Sequence, residues 1–223
     1  MGDAYSAIGA LADPLRRRLY DAVSARPDGL GREEAARLVE VPPHVARFHL
    51  DRLVHEGLLR VEPRRLSGRT GPGAGRPANV YLRADTEVAV SVPDREYDLV
   101  GHVLAAAVER SLNGTDLPGA LAEEARAAGR RDGTSYDGPE RGELERTAGA
   151  LAARGFEPHR DDQGLSLRNC PFDALARSHT ALVCGVNLDY VGGVLDGLGC
   201  RTAHARLDPA PDRCCVTVAA SSP

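Results

Sequence analysis

The chain predicts an α+β protein in separate parts, and three observations carry that prediction. Amphipathic helical segments followed by two short strand patterns fill residues 1–84, helical patterns continue to residue 155, and from Phe156 onward short strands flank helical pieces. The expected organisation is therefore an N-terminal domain over 1–84, a helical linker or dimerisation region over 85–155 and a small α+β domain over 156–223.

The first helix is "DPLRRRLYDAVSAR", with Asp13 as N-cap, Pro14 at the first helical position and Leu15, Leu19 and Val23 on one stripe. "LGREEAARLVEV" is a second, its early acids Glu33 and Glu34 near the positive end of the helix. It stops before Pro42 and Pro43, because a proline disfavours helix at the residue preceding it. The third, "PPHVARFHLDRLVHEG", places Ala46, His49, Leu50, Leu53 and Val54 on one face and ends at Gly57. Two strands follow, "LLRVEP" and "NVYLR", joined by the Gly- and Pro-rich "RRLSGRTGPGAGRPA". Three helices and a basic-tipped hairpin make a winged helix-turn-helix.

The middle of the chain reads as helices "REYDLVGHVLAAAVERSL", "LPGALAEEARAAGRR" and "PERGELERTAGALAARG", with "RDGTSYDG" a mobile connection. The last part reads as strands "FEPHRD", "LSLRN", "TAHARLD" and "CCVTVA", with helix around 172–177 and 183–198. All five cysteines lie there.

The net charge of −4 hides an uneven distribution. Residues 1–83 hold 14 Arg against 10 acids, net +4, whereas the remainder holds 14 Arg against 22 acids, net −8. Only the first part suits a polyanion. Every cation is Arg, which removes Lys-based Schiff-base and P-loop chemistry, and no Trp is present. With no targeting signal and no apolar run near the ~18 residues of a membrane span, a cytoplasmic location is expected, where clustered cysteines more often bind metal or sense redox state than form structural disulfides.

If the third helix enters the major groove of double-stranded DNA, its outward face presents His44, Val45, Arg47, Phe48 and Arg52. Arg47 is the candidate for bidentate reading of guanine, and Arg52 is better placed for phosphate. In the hairpin, Arg64, Arg65, Arg69 and Arg76 suit the phosphate backbone or the minor groove. His49 is read as a packed core residue.

Thiolates bind soft metals, and the intervals here (Cys170 to Cys184, Cys184 to Cys200, Cys200 to the Cys214–Cys215 doublet) are neither a zinc-ribbon nor a ferredoxin run. Neighbouring strand residues face opposite sides of a sheet, so the doublet is expected to supply one ligand and one bystander. Cys170 with His179 lacks a third group and an oxyanion loop, so no enzyme is read here.

"LADPLRRRLYDAV", "RFHLDRLVHEGLL" and "SGRTGPGAGRPANVY" resemble the winged-helix domain of ArsR-type bacterial regulators over about residues 5–84. That resemblance implies a homodimer on a pseudo-palindromic operator, with the helix over 95–112 a candidate for the dimer interface. "LRNCPF", "HTALVCGVN", "LGC" and "DRCCV" are similar to the sensor of SufR-like repressors, which hold an iron–sulfur cluster. The similarity implies a [4Fe–4S] or [2Fe–2S] cluster held by Cys170, Cys184 and one of Cys214 or Cys215, with Cys200, His179 or His204 completing the set. Zinc, a metal-free thiol switch and an organic effector are the alternatives.

Overall fold

A computed structural model of the chain describes residues 4–64, 78–139 and 142–220. The protein is α+β and divides into two compact units, Met1–Val90 and Ser91–Pro223.

The first unit runs α1 (Ala4–Ala10), α2 (Pro14–Ser24), β1 (Leu30–Gly31), α3 (Arg32–Leu38), α4 (Pro43–His55), β2 (Leu59–Arg64) and β3 (Ala78–Arg83). Asp13 caps α2 as expected, its carboxylate accepting from the backbone N–H groups of Leu15 and Arg16 at 2.9 Å. The second helix is shorter than its pattern. Leu30 and Gly31 leave it to pair antiparallel with Tyr81 and Val80, giving the sheet order β1-β3-β2. Gly29 makes this possible: its φ is +75°, and a Cβ there would sit 2.8 Å from the side chains of Leu82 and Val80. Leu19, Leu50 and Leu53 are fully buried among the helices, each worth roughly 1.5–3 kcal/mol of transfer free energy.

The second unit contains α5 (Tyr97–Leu112), α6 (Leu117–Ser135), α7 (Glu143–Ala152), β4 (Pro158–Asp161), β5 (Gly164–Leu167), α8 (Asp173–Ser178), α9 (Thr180–Gly197), β6 (Ala203–Leu207) and β7 (Val216–Ala220). Its strands form an antiparallel sheet in the order β4-β5-β7-β6. The segment expected as a separate linker is part of this unit. Val100, Val103, Ala125, Ala128, Ala150 and Leu151 share one core with Leu165, Leu167, Tyr190, Val194, Val216 and Val218, because the apolar stripes of α5–α7 have no other large apolar surface to cover.

The stretch expected as a mobile connection begins as helix, since α6 continues to Ser135. Gly133 serves helix packing there instead of a turn. Gly129 and Gly133 on α6 face Gly193 and Gly197 on α9, and the backbones approach so closely that a Cβ at Gly129 would lie 2.8 Å from the backbone N of Val194. α9 is apolar almost all round because it is enclosed, with Val183, Cys184, Val186, Tyr190, Val191, Val194 and Leu195 buried.

Candidate functional site

In the first unit, α3 and α4 are joined by a tight turn in which Glu40 takes φ +57°, a left-handed conformation unusual for a residue with a Cβ. The outward face of α4 carries His44, Arg47, Phe48 and Arg52 exposed, with Val45 half-buried. Phe48 is 68% exposed although it is the only aromatic ring on the helix besides its histidines, and no core needs it there. His49 is turned inward with its Nδ1 buried, its ring edge-on to Phe48.

The arginines differ in how they are held. Arg47 Nε lies 3.3 Å from Asp51, which also accepts a 2.9 Å hydrogen bond from the hydroxyl of Tyr81 on β3. Burial and that bond raise the Tyr81 pKa to about 12, so the hydroxyl stays a donor. Arg52 pairs with Glu56, whose side chain is 1% exposed. It therefore neutralises a buried carboxylate, a structural duty that the sequence did not suggest. Arg64 donates to the Asp28 carbonyl at 2.9 Å and to Glu62 at 2.7 Å, tying down the hairpin base. Arg65, Arg69 and Arg76 lie outside the described residues. Arg32, Asn79 and Tyr81 line the groove between α4 and β3; sequence periodicity had no means of adding them, because the groove depends on strand pairing.

In the second unit, four of the five cysteines form two pairs, drawn from the loop after β5, the second turn of α9 and the segment before β7. The doublet does not belong to the last strand, which begins at Val216. Strand alternation therefore does not govern it. Cys214 N donates to the Leu167 carbonyl and the Cys215 carbonyl accepts from Asp208 N, both at 2.7 Å, holding the doublet between its neighbours. Both of its thiols are engaged, each with a different partner. The sulfur of Cys215 is joined to that of Cys184, with the Cα atoms 6.5 Å apart, and the sulfur of Cys214 is hydrogen-bonded to Cys170.

Cys214 Sγ also accepts from Asn187 Nδ2 at 3.1 Å and from Val216 N at 3.5 Å. The hydrogen bond from Cys170, then those from Val216 and Asn187, hold the Cys214 thiol below the usual range despite burial. The same bond, with burial, pushes the Cys170 thiol up. Within this pair Cys214 is the more readily ionised thiol.

Cys200 is not brought to this place. It follows α9, whose span from Cys184 to Gly197 at 1.5 Å per residue is about 20 Å, and its sulfur lies 3.7 Å from Thr147 Oγ1. His179 precedes α9 as its N-cap, and His204 lies on β6 opposite Ala219. Among the described residues, no three His, Cys, Asp or Glu side chains are gathered as a metal site. The four thiols stand as two pairs. All four donors are sulfur and come from three chain segments, but with one pair closed as a disulfide and the other hydrogen-bonded they do not form an assembled cluster or zinc site in this arrangement.

The loop carrying Cys170 grips the start of α5. Arg95 Nη1 donates to Asn169 Oδ1 at 2.5 Å and to the Cys170 carbonyl at 3.1 Å, and Glu96 N donates to the Pro171 carbonyl at 3.1 Å. Asn169 Nδ2 in turn donates to the carbonyls of Asp94 and Gly155. Residues 94–96 follow closely in the chain on Val90, where the first unit ends. On its outer side α5 exposes Tyr97, Gly101, Ala105, Val108 and Leu112, an uncharged stripe at helical spacing.

Residues 11–62 match the helix-turn-helix domain family, a span that takes in α2, α3, α4 and most of β2. No curated protein and no solved structure matches the chain. The first unit thus carries a helix-turn-helix DNA-binding domain of the kind found in transcription regulators, and no helix among the described residues is long and apolar enough to cross a membrane.

Proposed function

We propose that the chain is a homodimeric transcription regulator whose four clustered thiols set its affinity for a pseudo-palindromic operator. The observation that carries this reading is the joining, in one chain, of a helix-turn-helix unit to a unit where Cys170 pairs with Cys214 and Cys184 with Cys215. Those four residues are the proposed ligands of an iron–sulfur cluster, and Cys200 is left out. Such a cluster, when bound, supplies one-electron redox chemistry and sensitivity to iron and oxidant.

The chain's own residues supply the rest. On DNA, α4 lies in the major groove with Arg47 and Phe48 toward base edges, while the hairpin arginines contact phosphate. Cys170 is held by the loop that Arg95 and Asn169 clamp to residues 94–96, so a change at Cys170 shifts the segment leading to the DNA-binding unit. The α5 stripe is the proposed dimer contact, since an uncharged face with Leu112 82% exposed has an apolar surface to cover. Two copies related by a two-fold axis would present two recognition helices to two half-sites.

A metal-free thiol switch is the second reading, favoured by the pairing itself: Cys184 is joined to Cys215, and Cys170 is hydrogen-bonded to Cys214. Anaerobic purification with a visible spectrum, iron, sulfide and zinc assays, and operator titrations of wild type and Cys170→Ser separates the two. Visible absorbance with stoichiometric iron and sulfide, lost in Cys170→Ser, is expected. A colourless, metal-free protein whose operator affinity still follows thiol oxidation would establish the switch instead, and an affinity indifferent to both would end the proposal.

A further inference from the structure

The guanidinium of Arg47 is braced from two elements. Its Nε donates to Asp51 Oδ2 at 3.3 Å, one turn further along α4, and the other carboxylate oxygen, Oδ1, accepts from the Tyr81 hydroxyl at 2.9 Å. Tyr81 is buried and lies on β3, the middle strand of its sheet, opposite Leu30 on one side and Val61 on the other. Pairing on both sides fixes the strand, so the hydroxyl reaches Asp51 from a rigid support. One buried ring thus sets the place of a carboxylate on the surface of the helix.

Stability does not account for these contacts. The side chains of Arg47 and Asp51 are 63% and 53% exposed, and an exposed ion pair four residues apart contributes little. A cation placed N-terminal to its acid is also the less favourable order along a helix. Binding accounts for them better. Engaging Nε leaves Nη1 and Nη2, the edge of the fork that matches O6 and N7 of guanine, for a partner outside the protein. A loose arginine loses rotamer freedom when it binds, whereas one already held by Asp51 has lost much of it beforehand. The carboxylate works in the opposite sense on DNA in general, because a negative charge near phosphates opposes sequence-independent binding. Better selection with weaker general affinity is the mark of a specificity device.

We infer that Tyr81 and Asp51 are positioning residues for base reading: the Tyr81 hydroxyl fixes Asp51, and Asp51 orients the Arg47 fork toward one base pair in a single geometry. The inference rests on the reading of Arg47 as a base-edge contact given above. It makes β3, which supplies no base contact in that reading, a determinant of sequence preference. Holding one arginine in its bound rotamer is worth about two- to tenfold in affinity for the matching base.

The test incubates the full chain, thiol-reduced and air-oxidised in parallel, with a randomised double-stranded DNA library and sequences the bound fraction. Affinity for poly(dI-dC) duplex and the thermal midpoint are read alongside. Wild type is compared with Arg47→Ala, Tyr81→Phe, Asp51→Ala and the double variant of Arg47→Ala with Tyr81→Phe. Arg47→Ala is expected to abolish the preference for guanine at one position of the selected site. Tyr81→Phe should weaken that same preference about two- to tenfold and leave the other positions and the poly(dI-dC) affinity as they are. Asp51→Ala should weaken it similarly while poly(dI-dC) affinity rises, two changes of opposite sign that a damaged fold does not produce. The double variant should discriminate no worse than Arg47→Ala, because Tyr81 acts through Arg47. Loss of the preference in Arg47→Ala with an unaltered preference in Tyr81→Phe and Asp51→Ala would overturn the inference alone, as would a Tyr81→Phe loss spread evenly over all positions. A library from which wild type selects no sequence, or a preference that Arg47→Ala leaves intact, would overturn the base-edge reading and this inference with it.

Discussion

Gly193→Ala tests whether the close approach of α6 and α9 holds the second unit together. A Cβ at this position would lie 2.9 Å from the carbonyl carbon of Arg126 and 3.0 Å from its Cα, and nearer still to its carbonyl oxygen. Ordinary contact begins about half an ångström further out, and every obstructing atom is backbone, so no side chain can swing aside. The helices must part. Overpacking of this kind costs roughly 1–3 kcal/mol, with the upper end expected where both partners are main chain. Replacing a mid-helix glycine by alanine returns up to about 1 kcal/mol, leaving a net loss of about 2 kcal/mol. Gly185→Ala on the same helix is the control, since a Cβ there meets nothing within 4 Å; it should gain up to about 1 kcal/mol. Native-state amide hydrogen exchange on the reduced protein reads both. Amides of α6 and α9 should lose protection in Gly193→Ala while those of α2 and α4 keep theirs. Stability of Gly193→Ala within about 0.5 kcal/mol of wild type would refute the packing argument.

Four further outcomes are expected. Phe48→Ala should leave the melting temperature unchanged, because the ring is 68% exposed, and weaken operator affinity by about 1–2 kcal/mol with specificity relaxed at one base pair; fluorescence anisotropy against single-base operator variants checks it. Arg95→Ala removes the clamp on the Cys170 loop, so the ratio of operator affinities between loaded and metal-free protein should fall toward one while each form still binds, and the Glu96 amide should exchange faster. Glu40→Gly relieves a left-handed backbone at a non-glycine residue and should stabilise the first unit by about 1 kcal/mol in urea unfolding. Burial raises the pKa of Glu96, against the opposing pull of Arg154, so its folded-state carboxyl titrates above the unfolded one. The burden is fully present above the folded pKa and disappears as pH falls through it toward the ordinary glutamate range, so Glu96→Gln should stabilise the second unit at neutral pH and flatten that part of its pH profile.

The reach of sequence reading differs between the two units. The capped α2 and the proline-led α4 were legible because their signals lie within four residues of one another: Asp13 with Pro14, and Pro43 with the stripe of Ala46, Leu50 and Leu53. The outward placement of Arg47 and Phe48 followed from the same periodicity. What they hold did not. The pairing of Arg52 with a buried Glu56 and the contact of Tyr81 with Asp51 depend on how strand and helix pack. Gly129 and Gly133, read as ordinary members of helix and turn, make sense only opposite Gly193 and Gly197.

Local chemistry was enough to establish the α+β class, the order of helices and strands apart from α1 and β1, the basic character of residues 1–83 and the confinement of all cysteines to the end of the chain. Those properties arise from periodicity, capping and composition, which are short-range. Folding alone decided which cysteines meet. Cys170 and Cys214 are 44 positions apart and touch because β5 and the segment before β7 are hydrogen-bonded neighbours, whereas Cys200 is carried away by the length of α9. Sulfur-to-sulfur proximity is set by strand pairing and helix length, and neither is written in the spacing of the thiols themselves.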